Sequence, residues 1–490
     1  MESSRIKSVA IIGAGAAGAA VAAAFAAEDC FDKIRVFERR ETAGGTWIHD
    51  PDPTPLLVPQ PGALPTKIDP PLEAPRDLPT TAPPSSQERY EKTPIYEDLT
   101  SNVPSIAMSF SDARFAYGPF VPHWVVKQYI ENYFSTHRLD SLLVLSTTVE
   151  DVTKLPSTPT GLDRWSLTLR RYDPVAHVDV WWKEDYDAVI FANGHYSVPY
   201  VPKVDGLEQY IQKFPGRVIH SKSYRSAFNF KDKRVLVIGN SASGHDITTA
   251  LAKTATRPVY QSRRSASRWD GDKPPPGIEW KPIVKKYLPD GNIVFDDDSV
   301  LSDIDTVIYS TGYKASFPFW NSHTNGGPIW DYRQNRLIGN YLHIFLRDFP
   351  TLGVVGIPRT LTFRSFEYQA IALARVFSGR NAIPLPSKEE QEKWEEDRWK
   401  LVSRERRKFH DIPWDNDETV AYLDELFHLA GLPLLSGSGR YPPILDERTR
   451  WAIEHVKKYP EPDHDEDQEE ENHRWTMVDP TSYKDSLHFI

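Results

Sequence analysis

The chain has 490 residues, of which 40% are hydrophobic and 26% charged, so it can bury the core of a soluble globular protein. The net charge of −10 argues against a nucleic-acid partner. Much of that charge lies in the segment from Glu461 to Glu471, which holds eight acids and no Lys or Arg. The single cysteine, Cys30, excludes an intramolecular disulfide, a CxxC redox pair and a cysteine-rich zinc site.

An uncharged run of 19 residues, from Val9 to Ala27, follows Arg5 and Lys7 near the start of the chain. Such a run is typical of a signal peptide or a short membrane span. Its spaced glycines favour a nucleotide-binding turn instead, and no other stretch is long and apolar enough to span a bilayer. We therefore expect a cytoplasmic protein without an integral membrane anchor.

A strand from Val9 to Ile12 is followed by a glycine motif that opens an alanine-rich helix. The glycines permit a tight turn and close approach of a pyrophosphate, and the helix N-terminus offers free amides to phosphate groups. Twenty residues after the motif, Glu38 follows the next strand, where a carboxylate accepts bonds from an unphosphorylated ribose, as in FAD or NAD. The predicted phosphate-binding residues are Gly13, Ala14, Gly15, Ala16, Ala17 and Gly18.

A second cofactor-binding segment is predicted at Gly45, Thr46 and Trp47. Glycine lets the backbone approach a flat ligand, and an indole can cover a ring face. A core position for Trp47 is equally compatible with the sequence.

From Pro51 to Pro84 the chain has 12 prolines in 34 residues. So many fixed φ angles and lost amide donors exclude helix and central strand. We expect this Pro-rich insertion to run between elements, and to line or cover the entrance to the site because it follows the GGTW segment in the chain.

A second motif, with Ser241 at the central glycine position, follows the strand from Arg234 to Ile238 and precedes a helix predicted from His245 to Lys253. Nineteen residues past the motif, Arg263 and Arg264 stand where an acid would bind an unphosphorylated ribose. An arginine fork suits the 2′-phosphate of NADPH; a solvated basic pair is the alternative. The residues predicted to bind this second nucleotide are Gly239, Ser241, Ser243, Gly244 and Arg263.

Internal similarity predicts a repeated architecture. The segment from Asp187 to Gly194 matches that from Asp305 to Gly312 at four of eight positions. Alternating strands and helices predict an α/β fold with two Rossmann-like dinucleotide-binding domains. We place the FAD-binding domain at 1–200 and 310–458, the inserted NADPH-binding domain at 201–309 and an acidic tail at 459–490.

The segment between the two motifs resembles the signature of the flavin-containing monooxygenases. Phe214, Gly216, His220 and Tyr224 match its FxGxxxHxxxY pattern. The other matches, in that family's order, are the two glycine motifs, GGTW at 44–47, YEDLTSNVP at 96–104, ANGH at 192–195, STGY at 310–313 and EYQA at 367–370. The resemblance covers most of the chain except the Pro-rich insertion and the tail.

This resemblance implies an NADPH- and O2-dependent oxidoreductase, similar to N,N-dimethylaniline monooxygenase, with FAD as cofactor. NADPH would reduce FAD, O2 would add at flavin C4a, and the hydroperoxide would pass one oxygen to a nitrogen or sulfur atom of a small molecule. The chain then needs no catalytic acid, base, nucleophile or metal of its own. By resemblance, Asn102 is the expected catalytic residue, and Ser101, Asn102 and Val103 contact the cofactors; the residues alone are also compatible with a simple turn.

Other functions stay open on the sequence. A Baeyer–Villiger monooxygenase or an NADPH oxidase would use the same fold, although Baeyer–Villiger relatives carry tryptophan where Tyr224 stands. A non-enzymatic flavin-binding scaffold would use the acidic tail to recruit a basic partner. Ser241 and the lack of a C-terminal anchor resemble the plant and fungal S-oxygenating branch. The sequence also leaves a homodimer open, and we expect His220 and Tyr224 to shape the linker between domains.

Overall fold

A computed structural model describes residues 6–85, 87, 90–156, 162–267, 269–414, 416–432 and 437–459, so the acidic segment at 461–471 lies outside the described residues. The helices are α1 (Ala16–Ala27), α2 (Pro65–Ile68), α3 (Ser105–Met108), α4 (His123–Thr136), α5 (Leu207–Lys213), α6 (Ala242–Leu251), α7 (Thr362–Ser378), α8 (Lys388–Arg404), α9 (Glu418–Ala430) and α10 (Glu447–His455). The strands are β1 (Ser8–Ile12), β2 (Lys33–Phe37), β3 (Thr80–Ala82), β4 (Leu143–Val144), β5 (Thr148–Leu155), β6 (Arg164–Asp173), β7 (Val178–Tyr186), β8 (Ala188–Phe191), β9 (Val198–Pro199), β10 (Val218–His220), β11 (Val235–Ile238), β12 (Val259–Ser262), β13 (Ile278–Lys281), β14 (Val284–Tyr287), β15 (Ile293–Phe295), β16 (Val300–Leu301), β17 (Thr306–Tyr309), β18 (Tyr313–Lys314), β19 (Trp330–Asp331), β20 (Arg336–Leu337), β21 (Asn340–Tyr341), β22 (Phe345–Leu346) and β23 (Leu352–Val354).

A mixed sheet and a parallel sheet organise the molecule. The first has the order β21-β22-β23-β8-β1-β2-β4, with β1 parallel to β2 and β8, and β8 parallel to β23. The second has the order β10-β17-β11-β12-β13, and all its pairs are parallel. We call these sheets, with their helices, the first unit and the second unit.

The first sheet is assembled from two distant parts of the chain. Its strand β8 precedes the whole second sheet in the sequence, whereas its neighbour β23 follows it. The second unit is therefore inserted between two strands that lie side by side. This topology confirms the α/β fold with an inserted dinucleotide-binding unit, and the exact domain boundaries stay predictions.

Strand β1 is apolar throughout because both faces of its sheet are covered. Val9 and Ile11 pack in a core with α1 and α7, while Ala10 and Ile12 pack with Trp165 and other residues of the opposite core. Such two-sided burial is why parallel strands read as continuous apolar runs. The uncharged run from Val9 to Ala27, which is also typical of a signal peptide, thus forms β1 and α1. Among the described residues, no helix is long and apolar enough to cross a membrane.

The Pro-rich insertion joins an antiparallel sheet of order β3-β7-β6-β5. Its strand β3 lies at the sheet edge and pairs with β7, as expected for proline-flanked strands. The prediction that the Pro-rich insertion contains no helix was wrong, since α2 forms one helical turn. Pro65 begins this helix, where its missing N–H costs no helical bond. The helix predicted from His245 to Lys253 is α6, which begins three residues earlier, directly after Ser241.

Candidate active site and cofactor sites

The first glycine motif forms a turn that only small residues can occupy. Gly13 has a φ of +106°, and a Cβ there would lie 2.6 Å from the carbonyl oxygen of Ala192, at the end of β8. A Cβ at Gly18 would clash with the carbonyl of Gly13. The backbone of Gly15 packs against Gly45, where a Cβ would lie 2.7 Å from Gly15 Cα. The two predicted cofactor-binding segments are therefore brought together.

Glu38 lies at the end of β2 and is 6% exposed. Its Oε2 accepts a hydrogen bond from the N–H of Ala14 at 2.8 Å, and its Oε1 accepts one from the N–H of Arg40 at 2.9 Å. Each carboxylate oxygen retains lone-pair capacity for a hydroxyl group. The position therefore fits the ribose-binding acid that the spacing predicted.

A cavity of about 240 Å³ opens over the first unit. The buried hydroxyl of Thr46 faces it and makes no hydrogen bond with any described residue. Such an unpaired polar atom needs a partner from a ligand or from water. The predicted residues that line the cavity are Gly13, Gly15, Ala16, Ala17, Glu38, Gly45, Thr46 and Trp47. A phosphate cradle, a ribose acceptor and an aromatic wall in one cavity fit FAD.

Other predicted residues of this group lie outside the lining. Ala14 and Gly18 are buried in the motif itself, the first against Glu38 and the second against Gly13.

Trp47 is 3% exposed and packs edge-on to Phe363 at 6.5 Å, so it is both a core residue and a cavity wall. The core position of Trp47 is confirmed, and its contact with a cofactor ring stays a prediction.

The cavity also contains residues that the sequence reasoning missed. Lys222 is 2% exposed and donates from Nζ to the carbonyl of Ser197 at 2.7 Å. Burial, with neighbouring Arg39 and Arg225, lowers the pKa of Lys222 to about 7. The sequence signal available for Lys222 was its position between His220 and Tyr224 of the signature. Nothing in the motif spacing shows that its side chain points into the cavity.

Asp69 of the Pro-rich insertion is a second missed wall residue. It is 7% exposed, and its Oδ2 accepts a hydrogen bond from Ser316 Oγ at 2.6 Å. Lys314 and Arg359 line the same cavity. No local pattern indicates these positions, because each comes from a separate part of the chain.

The second glycine motif repeats the geometry of the first. Gly239 has a φ of +109°, and a Cβ there would lie 2.7 Å from the carbonyl oxygen of Ser310, at the end of β17. A Cβ at Gly244 would clash with the carbonyl of Gly239. Ser241 is exposed and does not cap α6 with its side chain, and Ser243 lies in the first turn of that helix. A second dinucleotide-binding turn is therefore present.

Arg263, predicted to bind the 2′-phosphate, is already engaged. Its Nη1 donates to Asp270 Oδ2 at 2.9 Å, and its Cζ lies 3.3 Å from the ring centre of Trp280. The neighbouring Arg264 is exposed and pairs with no carboxylate among the described residues. Of the two arginines, Arg263 is thus held by Asp270 and Trp280, and Arg264 is solvated.

Ser101, Asn102 and Val103 lie outside the lining of this cavity. Ser101 Oγ accepts from the N–H of Val121 at 3.1 Å, which fixes the backbone around half-buried Asn102. In the same segment, Tyr96 donates from its hydroxyl to Asp246 of α6 at 2.6 Å. Tyr96, five residues before Ser101, therefore joins this part of the chain to the second unit, and the roles of Ser101, Asn102 and Val103 stay predictions.

His220 connects the two units through neutral ring nitrogens. Its Nδ1 accepts from the N–H of Lys222 at 3.0 Å, so Nε2 carries the proton and donates to the carbonyl of Gly312 at 3.1 Å. Burial lowers the pKa of His220 to about 3. Tyr224 is 2% exposed and stacks on Phe230. The expected role of both side chains in shaping the linker between domains stays a prediction.

The model of the family described as flavin-binding monooxygenase-like matches residues 85–269 and 277–433, which is more than half of the chain. The chain belongs to the flavin-binding monooxygenase-like family. A second model, for an NAD(P)-binding Rossmann-like domain, matches residues 11–61, which include the first glycine motif and Glu38. The resemblance seen in the sequence is confirmed, and this flavin-binding monooxygenase is an oxidoreductase with FAD and NADPH as cofactors.

Named relatives agree with this assignment. Flavin-containing monooxygenase FMO GS-OX-like 4 of Arabidopsis thaliana is 31% identical over 399 residues, covering 78% of each chain. Flavin-containing monooxygenase iboF of Amanita muscaria is 29% identical over 441 residues, covering 77% of this chain and 80% of the relative.

Solved structures show the same fold. S-allyl-L-cysteine S-oxygenase from Allium sativum is 29% identical with a TM-score of 0.72, covering 92% of both chains. Cyclohexanone monooxygenase is 14% identical with a TM-score of 0.52, covering 81% of this chain and 90% of that one. The second likeness shows the fold alone.

Proposed function

We propose that this flavin-binding monooxygenase oxygenates a soft nucleophilic nitrogen or sulfur atom of a small molecule. The observation that carries the proposal is the pair of matching glycine turns, one lining the cavity with Glu38 and one joined to Arg263 through Asn240 and Asp270. Such a pair can hold FAD and NADPH on two units that meet through Tyr96 and Asp246. FAD, when bound, supplies the oxygen-transfer chemistry, and the chain supplies position, polarity and exclusion of water.

The cavity side chains act by binding and orientation. His195 lines the cavity, and burial lowers its pKa to about 4, so its ring is neutral at pH 7. Lys222 can hold or release a proton at Nζ near neutral pH, since burial places its pKa at about 7. Asn102 can both donate and accept hydrogen bonds without titrating. We assign it the role of holding a polar group at the junction of the two units.

Sulfur is the first atom class to test. A solved neighbour that covers 92% of both chains is an S-oxygenase of S-allyl-L-cysteine.

Cytoplasmic placement belongs to the same proposal, because Cys30 is free and the chain has no second cysteine to pair with it.

The decisive experiment is a stoichiometric assay on the FAD-loaded enzyme. NADPH oxidation, O2 uptake, product and hydrogen peroxide are measured with a sulfide, a tertiary amine and a cyclic ketone. We expect close to one sulfoxide or N-oxide per NADPH and little peroxide. Peroxide equal to NADPH with every substrate would identify an oxidase, and a lactone from the ketone would identify a Baeyer–Villiger enzyme. A flavin that NADPH does not bleach under nitrogen would identify a non-enzymatic flavin-binding scaffold.

A further inference from the structure

The loop after β12 places a carboxylate over the second glycine motif. Asp270 is largely buried, with 4% of its side chain exposed. Its Oδ2 accepts three hydrogen bonds, from Asn240 Nδ2 at 2.8 Å, from Arg263 Nη1 at 2.9 Å and from the N–H of Ser267 at 2.9 Å. One oxygen thus receives a guanidinium, an amide and a backbone donor.

These donors come from separate parts of the second unit. Asn240 stands between Gly239 and Ser241 of the glycine motif, Arg263 follows β12, and Ser267 belongs to the loop. Convergent charged and backbone donors of this kind are what protein sites use to bind phosphate oxygens. We call the group formed by Asn240, Arg263 and the Ser267 amide the anion seat, and the chain fills it with its own carboxylate.

Arg263 and Asn240 make further contacts that limit how each can bind an anion. One face of its guanidinium is covered by Trp280, at 3.3 Å from Cζ to the ring centre. Asn240 Nδ2 also donates to the carbonyl of Ser265 at 2.8 Å, which holds the loop against the motif. An incoming anion that uses Arg263 and Asn240 together must therefore compete with Asp270.

We propose that Asp270 is a built-in counter-ion that occupies the anion seat, and that the 2′-phosphate of NADPH binds there by displacing it. Asp270 thereby sets the preference of the enzyme between NADPH and NADH. NADH carries no 2′-phosphate and leaves the Asp270 contacts intact, so its binding does not meet this competition. The proposal concerns nucleotide recognition and is independent of the substrate that is oxygenated.

Binding of two adenosine nucleotides to the oxidised, FAD-loaded enzyme tests this role. Adenosine 2′,5′-bisphosphate carries the 2′-phosphate, and adenosine 5′-monophosphate lacks it; both are titrated by calorimetry. Asp270→Asn keeps the size of the side chain and removes its charge. We expect the bisphosphate to bind about tenfold more tightly and the monophosphate to change less than twofold. Unchanged or weaker bisphosphate binding, or equal gains for both nucleotides, would overturn the proposal.

Matched variants separate this effect from net charge and from loop damage. Asp298→Asn removes an exposed carboxylate from the same unit and should change neither affinity. Asp270→Ser serves if the asparagine variant folds poorly, and the same selective gain is expected from it. In an Arg263→Ala background, Asp270→Asn should lose most of its effect, because the seat then lacks its guanidinium. A full tenfold gain in that background would contradict competition for Arg263.

The readout also separates this inference from the proposed function. Nucleotide binding is measured without O2 transfer, so a failed oxygenation assay leaves the result interpretable. Kinetically, Arg263→Ala should raise the KM for NADPH far more than the KM for NADH, whereas Asp270→Asn should lower only the KM for NADPH. Equal changes for both nucleotides would show that neither residue distinguishes the 2′-phosphate.

Discussion

Neighbouring residues hold the backbone around Asn102 in place. Ser101 exchanges backbone and side-chain hydrogen bonds with Val121, and Ser105 begins α3 three residues later. An amide on this fixed backbone can orient a polar group of a bound cofactor without proton transfer. Its effect should therefore fall on what happens after flavin reduction.

For Asn102→Ala we expect flavin reduction by NADPH to change less than about threefold, while the fraction of NADPH that yields oxygenated product falls at least tenfold. The checks are anaerobic stopped-flow reduction and the ratio of product to peroxide in air. Asn132→Ala is the control, because Asn132 is exposed on α4 and bonds only its helical neighbour Gln128 among the described residues. Unchanged coupling in Asn102→Ala would remove it from the site.

The Pro-rich insertion is tied to both units. Gly62 donates its N–H to the carbonyl of Val201 at 2.8 Å, Asp69 accepts from Ser316, and β3 pairs with β7. The stretch 57–60 lines a second, small cavity together with His220 and Lys222, and Lys222 also lines the cofactor cavity. The insertion thus supports the cofactor cavity from outside. Whether it also covers the substrate entrance stays a prediction.

Replacing residues 56–61 by an equal number of glycines and serines should therefore weaken FAD retention. We expect FAD to leave about tenfold faster, because a flexible segment no longer holds Lys222 and Asp69 in the wall. FAD fluorescence during dilution measures the release. The same replacement at 73–77, which is mostly exposed, is the control. Equal release from both variants would show that the packed stretch does not support the cavity.

The strands and glycine turns were predictable because their physical requirements are local. Strand β1 is an apolar run since both faces of its sheet are covered, and Gly13 and Gly239 are needed where a Cβ would meet a neighbouring strand. Asp69, Lys222 and the Asp270 contacts depend on chain segments that meet only in the fold. Their sequence neighbourhoods carry no periodicity or spacing that predicts such meetings.

The lone cysteine limits the chemistry of the whole molecule. Bacillithiol disulfide reductase shares the fold at 15% identity and a TM-score of 0.53. This chain has only Cys30, so it has no pair of thiols with which to perform dithiol exchange. The function of two linked dinucleotide units therefore depends on the side chains that line them and not on the architecture.

Buried neutral histidines connect distant parts of this fold. His410 Nε2 accepts from the N–H of Leu337 at 3.1 Å, so its Nδ1 carries the proton and donates to His343 Nδ1 at 2.9 Å. Burial lowers the pKa of both rings well below the ordinary value. His220, whose pKa is lowered to about 3, is neutral for the same reason. Protonating any of the three requires a charge in a buried site or the loss of these contacts.

These three rings make the folded state sensitive to mild acid. Each has a folded pKa below the unfolded value near 6.5, so its contribution to stability is complete above pH 6.5 and is lost as the pH falls below it. A ring that stays neutral in the folded protein costs about 1.4 kcal/mol of stability per pH unit below its unfolded pKa, so the free energy of unfolding should fall between pH 6 and pH 5. Urea unfolding over that range measures the slope. His220→Gln, which still donates and accepts but cannot be charged, should reduce the slope by up to about 1.4 kcal/mol per pH unit, whereas the exposed His428→Gln should not. A flat profile, or equal slopes in all three proteins, would contradict burial as the cause.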